Sequence, residues 1–203
     1  MNLRAKIAEV DLLVFDFDGT LVDSNAIKIN AFAKCFSEYE DRLEDIMSYC
    51  RENHHTSRFE KCRHVFTHIL KLPYTKDLEK KLLTRYENET TEQVIAASEI
   101  AGALAFVAKS AERGPLAILS STPHDVLLTL LKKRRIDPYF QVIQGSPVIK
   151  ADWLGRLEKT ALFFGDTKED RCAAEKAGVP FVGVANQALK ERGYYIESFE
   201  ELL

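Results

Sequence analysis

Long apolar runs are missing from this sequence of 203 residues. None approaches the roughly 20 consecutive apolar residues that a membrane-spanning helix needs, so no membrane partner is expected. Near the amino terminus, Arg4 and Lys6 are not followed by the uninterrupted apolar core of a signal peptide. Positive charge is also in short supply. With 28 Lys and Arg against 31 Asp and Glu, the formal charge is −3. That leaves no basic field, and nucleic acid is not an expected partner. Cysteine is sparse: Cys35, Cys50, Cys62 and Cys172 form no CxxC pair and fall inside helical patterns. Reduced thiols in a cytoplasmic protein are the expectation, rather than disulfides or a zinc site. There is no internal repeat and no low-complexity segment. The length accommodates one sizeable domain, or one domain with a modest insertion.

What the sequence does have is a stretch on which the rest is organised, Leu12-Leu13-Val14-Phe15-Asp16-Phe17-Asp18-Gly19-Thr20-Leu21-Val22-Asp23-Ser24. Its apolar start reads as a buried parallel strand. If the extended backbone persists one step further, Asp16 and Asp18 point the same way. Two carboxylates would then meet at the carboxyl edge of a sheet, where open α/β folds bind ligands. Such a pair repels itself, and burial makes this worse, so it calls for a cation or a shared proton.

After Ser24 the pattern turns helical for about seventy residues. Ile29, Phe32, Ala33 and Phe36 repeat at helical spacing, as do Leu43, Ile46, Met47 and Cys50. Ser57-Arg58-Phe59-Glu60 fits a capping box, opening a helix that Pro73 is expected to close. Another helix should follow from about Thr75. This block, residues 25–95, reads as a small helical bundle inserted behind the first strand. The remainder, residues 1–24 and 96–203, alternates strand and helix. A helix from about Glu99 to Arg113 is expected to end at Gly114. A strand over Leu116–Leu119 should stop at Ser120-Ser121-Thr122-Pro123, with Pro123 opening the next helix. Further strands are expected over Tyr139–Ile143, Thr160–Phe164 and Phe181–Val184, the last of the core. This alternation implies an α/β fold, a doubly wound parallel sheet with an inserted all-helical domain.

Three strands therefore end in polar groups. The first delivers Asp16 and Asp18, the second Ser120, and the third Asp166 with Asp170 one helical turn later. Lys150 lies in a loop that opens a short helix. Carboxylates with a hydroxyl and an ammonium beside them suit a phosphate held by a hard cation. Mg²⁺ takes oxygen ligands and shares its shell with water and substrate phosphate.

In these motifs the chain resembles the haloacid dehalogenase superfamily, in its phosphoglycolate phosphatase and β-phosphoglucomutase branch. Asp16-Phe17-Asp18-Gly19-Thr20 matches the first motif, Ser120 the second, Lys150 the third, and Gly165-Asp166-Thr167-Lys168-Glu169-Asp170 the fourth. Ala151 follows Lys150 where many relatives have proline, which leaves Lys159 and Lys168 as lesser candidates for the lysine role. The resemblance implies a Rossmann-like core and a helical cap. It also implies a Mg²⁺-dependent phosphatase acting through an aspartyl-phosphate on a small-molecule phosphate ester, either a sugar phosphate or a phosphoglycolate-like acid. In that reading Asp16 is the nucleophile and Asp18 the acid and base. Ser120, Lys150 and backbone N–H groups hold the phosphoryl oxygens, with Gly19, Thr20 and Ser121 also counted among the substrate-binding residues. The metal is expected at Asp16, Asp166, Asp170 and the Asp18 carbonyl.

Alternatives are a phosphomutase of the β-phosphoglucomutase type, a receiver-like signalling module and a non-catalytic phosphate-binding module. Receivers carry their phosphoacceptor on a later strand and lack so large a helical insertion. Non-catalytic descendants usually lose the nucleophile or the acid, and both are present here. In the helical block, His54-His55-Thr56-Ser57-Arg58-Phe59-Glu60-Lys61 marks a loop-to-helix junction. By resemblance Arg58 belongs to the cap loop that meets substrate, with Lys61 assisting, since a guanidinium grips phosphate or carboxylate in a bidentate way. His54 and His55 are expected to be polar loop residues. The oligomeric state is not readable from the sequence.

Overall fold

The structure, a computed structural model, describes residues 2–53, 56–191 and 193–203. His54 and His55 lie outside the described residues. The chain divides into two units, Met1–Asp23 with Ala97–Leu203, and Ser24–Ala96. No described helix is long and apolar enough to cross a membrane.

The first unit is built on a six-stranded sheet. Its strands are β1 (Leu12–Phe15), β2 (Leu116–Pro123), β3 (Val142–Ser146), β4 (Ala161–Gly165), β5 (Phe181–Val184) and β6 (Tyr194–Ile196). All pairings are parallel, in the order β3-β2-β1-β4-β5-β6. That is the doubly wound order, and chain direction across the sheet reverses between β1 and β4. β1 is central: Val14 sits beside Ala117 on one flank and Phe163 on the other.

The alternation of side chains along β1 sorts the core into two layers. Leu12 and Val14 share one face with Phe163, Leu154 and Ala174, under helices α8 (Lys150–Leu154) and α9 (Lys168–Ala177). Phe15 faces the other way. Its ring stacks on Phe164 at 5.0 Å and meets Phe106, Phe140 and Phe199 edge-on or tilted at 6.2–6.3 Å. Each such ring, fully buried, contributes about 1.5–3 kcal/mol relative to exposure. Because both faces are covered, the central strands read as unbroken apolar runs.

The other α-helices among the described residues of this unit are α1 (Leu3–Glu9), α6 (Ala103–Ala111) and α7 (His124–Arg134). Several boundaries differ from expectation. Helix α6 starts at Ala103 because Glu99 pairs with Val22 and Gly102 turns left-handed at φ 75°, and it ends three residues before Gly114. β3 begins at Val142 rather than Tyr139, since Asp137–Tyr139 form a 3₁₀ turn and Phe140 is drawn into the Phe15 cluster. β5 is followed by a sixth strand, β6.

Among its described residues the second unit has helices and no strand. It contains α2 (Asn25–Cys35), α3 (Leu43–Glu52), α4 (Arg58–His64) and α5 (Lys76–Ala96). α4 runs on as a π-helical stretch, Val65–Leu70, and stops at Lys71 in the left-handed region, φ 56°, two residues before Pro73. The interior is Phe32, Phe36, Ile46, Phe66, Leu82 and Tyr86, together with Cys35, Cys50 and Cys62. Burial pushes those three thiols up, to about 11, 11 and 12 respectively, and keeps them protonated and unreactive.

Candidate active site

The parity that sends Leu12 and Val14 to one face sends Asp16 there too. Its N–H still donates to the Phe164 carbonyl of β4 at 2.9 Å, so the ladder outlasts the strand by one residue. The Asp16 carboxylate is buried. Oδ1 accepts from the Phe17 N–H at 2.7 Å, and Oδ2 lies 3.1 Å from Lys150 Nζ. Lys150 is the first residue of α8, and its ammonium sits 5.6 Å over the Phe163 ring. It also donates to Asp170 Oδ1 at 2.7 Å. Asp170 is in the first turn of α9, where Thr167 caps the helix reciprocally. The Thr167 N–H and hydroxyl donate to Asp170 Oδ2, and the Asp170 N–H donates to the Thr167 hydroxyl. Glycine is required at 165, because a Cβ there would stand 2.7 Å from the Asp170 Cβ.

Asp166 follows β4 directly and is buried. The Thr20 hydroxyl donates to its Oδ1 at 3.4 Å, and Asn186 donates to its main-chain carbonyl at 2.6 Å. Carboxylate oxygens of Asp16, Asp166 and Asp170 lie within 4.8 Å of one another. The Asp18 carboxylate is not a member of that group and turns towards β2 instead. There the Thr122 hydroxyl donates to Asp18 Oδ2 at 2.7 Å. The regular strand ends at Phe15, and Asp18 is bridged to Val22 beyond it. Gly19, at φ 74°, closes a tight turn by donating its N–H to the Val22 carbonyl at 2.8 Å. Gly19 therefore shapes the turn, and the Thr20 hydroxyl is directed at Asp166. Ser120 is buried within β2, which runs on to Pro123 rather than stopping at Ser120 as expected. Its Oγ accepts from the Thr122 N–H at 3.1 Å, so the hydroxyl hydrogen is left to point elsewhere. Ser121 is exposed.

Of the three buried carboxylates, Asp16 and Asp170 thus share the Lys150 ammonium. Burial raises Asp16 to about 8, against the opposing pull of Lys150 and with Asp170, Asp166 and Asp18 adding to the rise. Burial works against the charged form of Lys150 as well, but Asp16 and Asp170 outweigh it and hold the lysine above its ordinary value. The cluster carries more negative charge than its lysine can balance.

A family model described as haloacid dehalogenase-like hydrolase matches residues 13–184, from β1 through β5. The chain belongs to that family. It is 25% identical to phosphoglycolate phosphatase of Salmonella typhimurium, over 98% of this chain and 93% of that one. It is 27% identical to a Caldanaerobacter subterraneus protein assigned as the pyrophosphatase PpaX, over 96% and 94%. Among solved structures, CbbY of Rhodobacter sphaeroides, in complex with xylulose-(1,5)bisphosphate, superposes with a TM-score of 0.76 at 18% identity, covering 95% of this chain and 96% of that one.

For a haloacid dehalogenase-like hydrolase the donor set fits Mg²⁺. The three converging groups are all carboxylates, with no His or Cys among them, and the surplus buried negative charge calls for a hard cation. Lys150 reaches both Asp16 and Asp170, whereas Lys159 and Lys168 are exposed.

Arg58 and Lys61 belong to the helical unit. Ser57 caps α4, its hydroxyl accepting the Glu60 N–H and donating to the Glu60 carboxylate. The Arg58 guanidinium lies 5.5 Å over Tyr86 and 5.7 Å over Phe59, with Glu87 at 3.9 Å. Its buried Nε has no hydrogen-bond partner among the described residues. Lys61 is turned inward over Phe32 at 5.1 Å, and burial lowers it to about 8. Thr122, Thr167 and Asn186 were not anticipated from the sequence. Thr167 carried a signal, its position three residues before Asp170 ahead of a helix. Thr122 had only its two-residue spacing from Ser120, and Asn186 had none.

Proposed function

We propose that this chain is a Mg²⁺-dependent phosphatase of small phosphate monoesters, working through an aspartyl-phosphate on Asp16. The observation that carries the proposal is the Asp16 carboxylate itself. It is buried at the end of the central strand, held at one oxygen by the Phe17 N–H and at the other by Lys150. A carboxylate so fixed loses little further freedom on attacking phosphorus. As the Asp16 oxygen–phosphorus bond forms, the ester oxygen–phosphorus bond breaks and Asp18 gives the departing oxygen its proton. Asp18 then takes a proton from water. The water oxygen attacks phosphorus, the Asp16–phosphorus bond breaks, and inorganic phosphate and a free carboxylate result. Lys150 and the Ser120 hydroxyl are the groups suited to hold phosphoryl oxygens while charge moves. Asp16, Asp166 and the Asp18 carbonyl would hold Mg²⁺, and a bound Mg²⁺ supplies positive charge that masks repulsion between nucleophile and phosphate. Asp170, committed to Lys150 and Thr167, acts mainly by orienting the lysine.

The helical unit is assigned as the cap, with Arg58 as the residue meeting the remainder of the substrate. A relative named phosphoglycolate phosphatase and a fold neighbour complexed with a sugar bisphosphate both favour a small phosphorylated acid or sugar. The test is a panel of phosphorylated metabolites assayed for released phosphate with Mg²⁺ and with EDTA. Phosphate release that EDTA silences and Mg²⁺ restores is expected. Full activity in a chelated preparation, or phosphoryl transfer between sugar positions with no free phosphate, would refute this reading.

A further inference from the structure

We propose that Thr122 is a positioning residue that aims Asp18 for proton transfer. This rests on the phosphatase reading above and adds to it a group outside the matching motifs. Asp18 stands three residues past the end of β1, in a tight turn where it bridges to Val22, so the regular β1 ladder no longer fixes its side chain. The Thr122 hydroxyl reaches it across the sheet at 2.7 Å, from a position that is 6% exposed. Thr122 is itself held. Its N–H donates to Ser120 Oγ at 3.1 Å, and the register of β2 against β3 shifts between Leu119 and Pro123, where this residue lies. Its carbonyl oxygen would be 2.6 Å from a Cβ at position 145, so glycine there lets β3 close against it. One residue therefore links the motif hydroxyl of Ser120 to the proposed acid. Anchoring Asp18 Oδ2 sets the carboxyl torsion, and with it the place of Oδ1.

A hydroxyl can donate to a carboxylate and accept from a carboxylic acid, so one contact serves Asp18 in both halves of the cycle. The contact contributes most where the leaving oxygen needs its proton most. The experiment compares Thr122→Val and Thr122→Ser, in kcat/KM, on p-nitrophenyl phosphate and on the best alkyl phosphate of the panel. That parameter runs only to departure of the leaving group, so it reports the protonation step. The valine variant should lose about tenfold or more on the alkyl ester, within the ~10²–10⁴-fold that a positioned acid supplies. It should lose much less on the nitrophenyl ester, and the serine variant should recover most of the loss. Melting temperatures confirm folding, and Thr122→Ala repeats the comparison without the added methyl if valine is not accommodated. Parallel losses on both esters, no loss on either, or a serine variant no better than valine would overturn the role of Thr122 alone. A folded wild-type chain that releases phosphate from neither ester in Mg²⁺ would overturn the phosphatase reading, and this assignment with it.

Discussion

Replacing Asp16 by asparagine tests the central carboxylate in two ways, because the substitution keeps shape while removing charge. In the metal-free protein the Asp16 side chain is raised from 3.8 to about 8, chiefly by burial. Between those values the folded protein retains a proton that the unfolded chain has released. The sign follows directly: metal-free stability falls as pH rises from about 4 to about 8. The penalty is thus largest, on the order of a few kcal/mol, near pH 7.5 and small near pH 5. The Asp16→Asn variant removes this penalty, and its side-chain carbonyl can still accept the Phe17 N–H. Its amide nitrogen, however, would face Lys150, which gives part of the gain back. A net stabilisation on the order of 2 kcal/mol at pH 7.5 is expected, or roughly 4–8 °C in melting temperature for a chain of this size. Calorimetry in EDTA from pH 5 to pH 8 should show the variant melting higher at the alkaline end, with the gap closing towards pH 5. Mg²⁺ at a hundredfold excess over its wild-type dissociation constant should then raise the wild type by about 2.7 kcal/mol and the variant by less. The variant should release no phosphate. A variant that melts below wild type across the range, or a gap indifferent to pH, would refute the claim that burial disfavours the charged form of Asp16.

Lys150→Met removes the one ammonium shared by Asp16 and Asp170 and should cost about 3–5 kcal/mol in denaturant unfolding of the metal-free protein near pH 7. A loss below about 1 kcal/mol would mean that the pair is screened by solvent rather than buried. Arg58→Ala should lower kcat/KM for the best panel metabolite by about tenfold or more while changing p-nitrophenyl phosphate turnover little, since the small ester needs only the core site. Equal effects on the two substrates would return Arg58 to a packing role over Tyr86 and Phe59.

The parts legible in the sequence are those whose geometry is local. An apolar run ending at Phe15 has to be buried, and strand parity alone then places Asp16 on the face of Leu12 and Val14. The fold class followed from the alternation of such runs with helices. Where a residue's role depends on a neighbouring strand, sequence spacing carried no information. Asp18 sits two residues from Asp16, which by strand periodicity should have aimed both at one point. The turn closed by Gly19 spends that periodicity, and Asp18 meets Thr122, more than a hundred positions away in the chain, instead. β6 escaped notice because three residues show too little alternation to register, and β3 was displaced because Tyr139 and Phe140 look like a strand while serving a turn and the Phe15 cluster. In the helical unit Lys61 stands one turn from Arg58, a spacing that reads as a second cation on the same face. Its four methylenes let it lie over Phe32 instead, where burial disfavours its charged form. The residues hardest to read were therefore polar ones whose partners come from another element. Apolar periodicity says which face of an element is buried, but not which polar group waits across the gap.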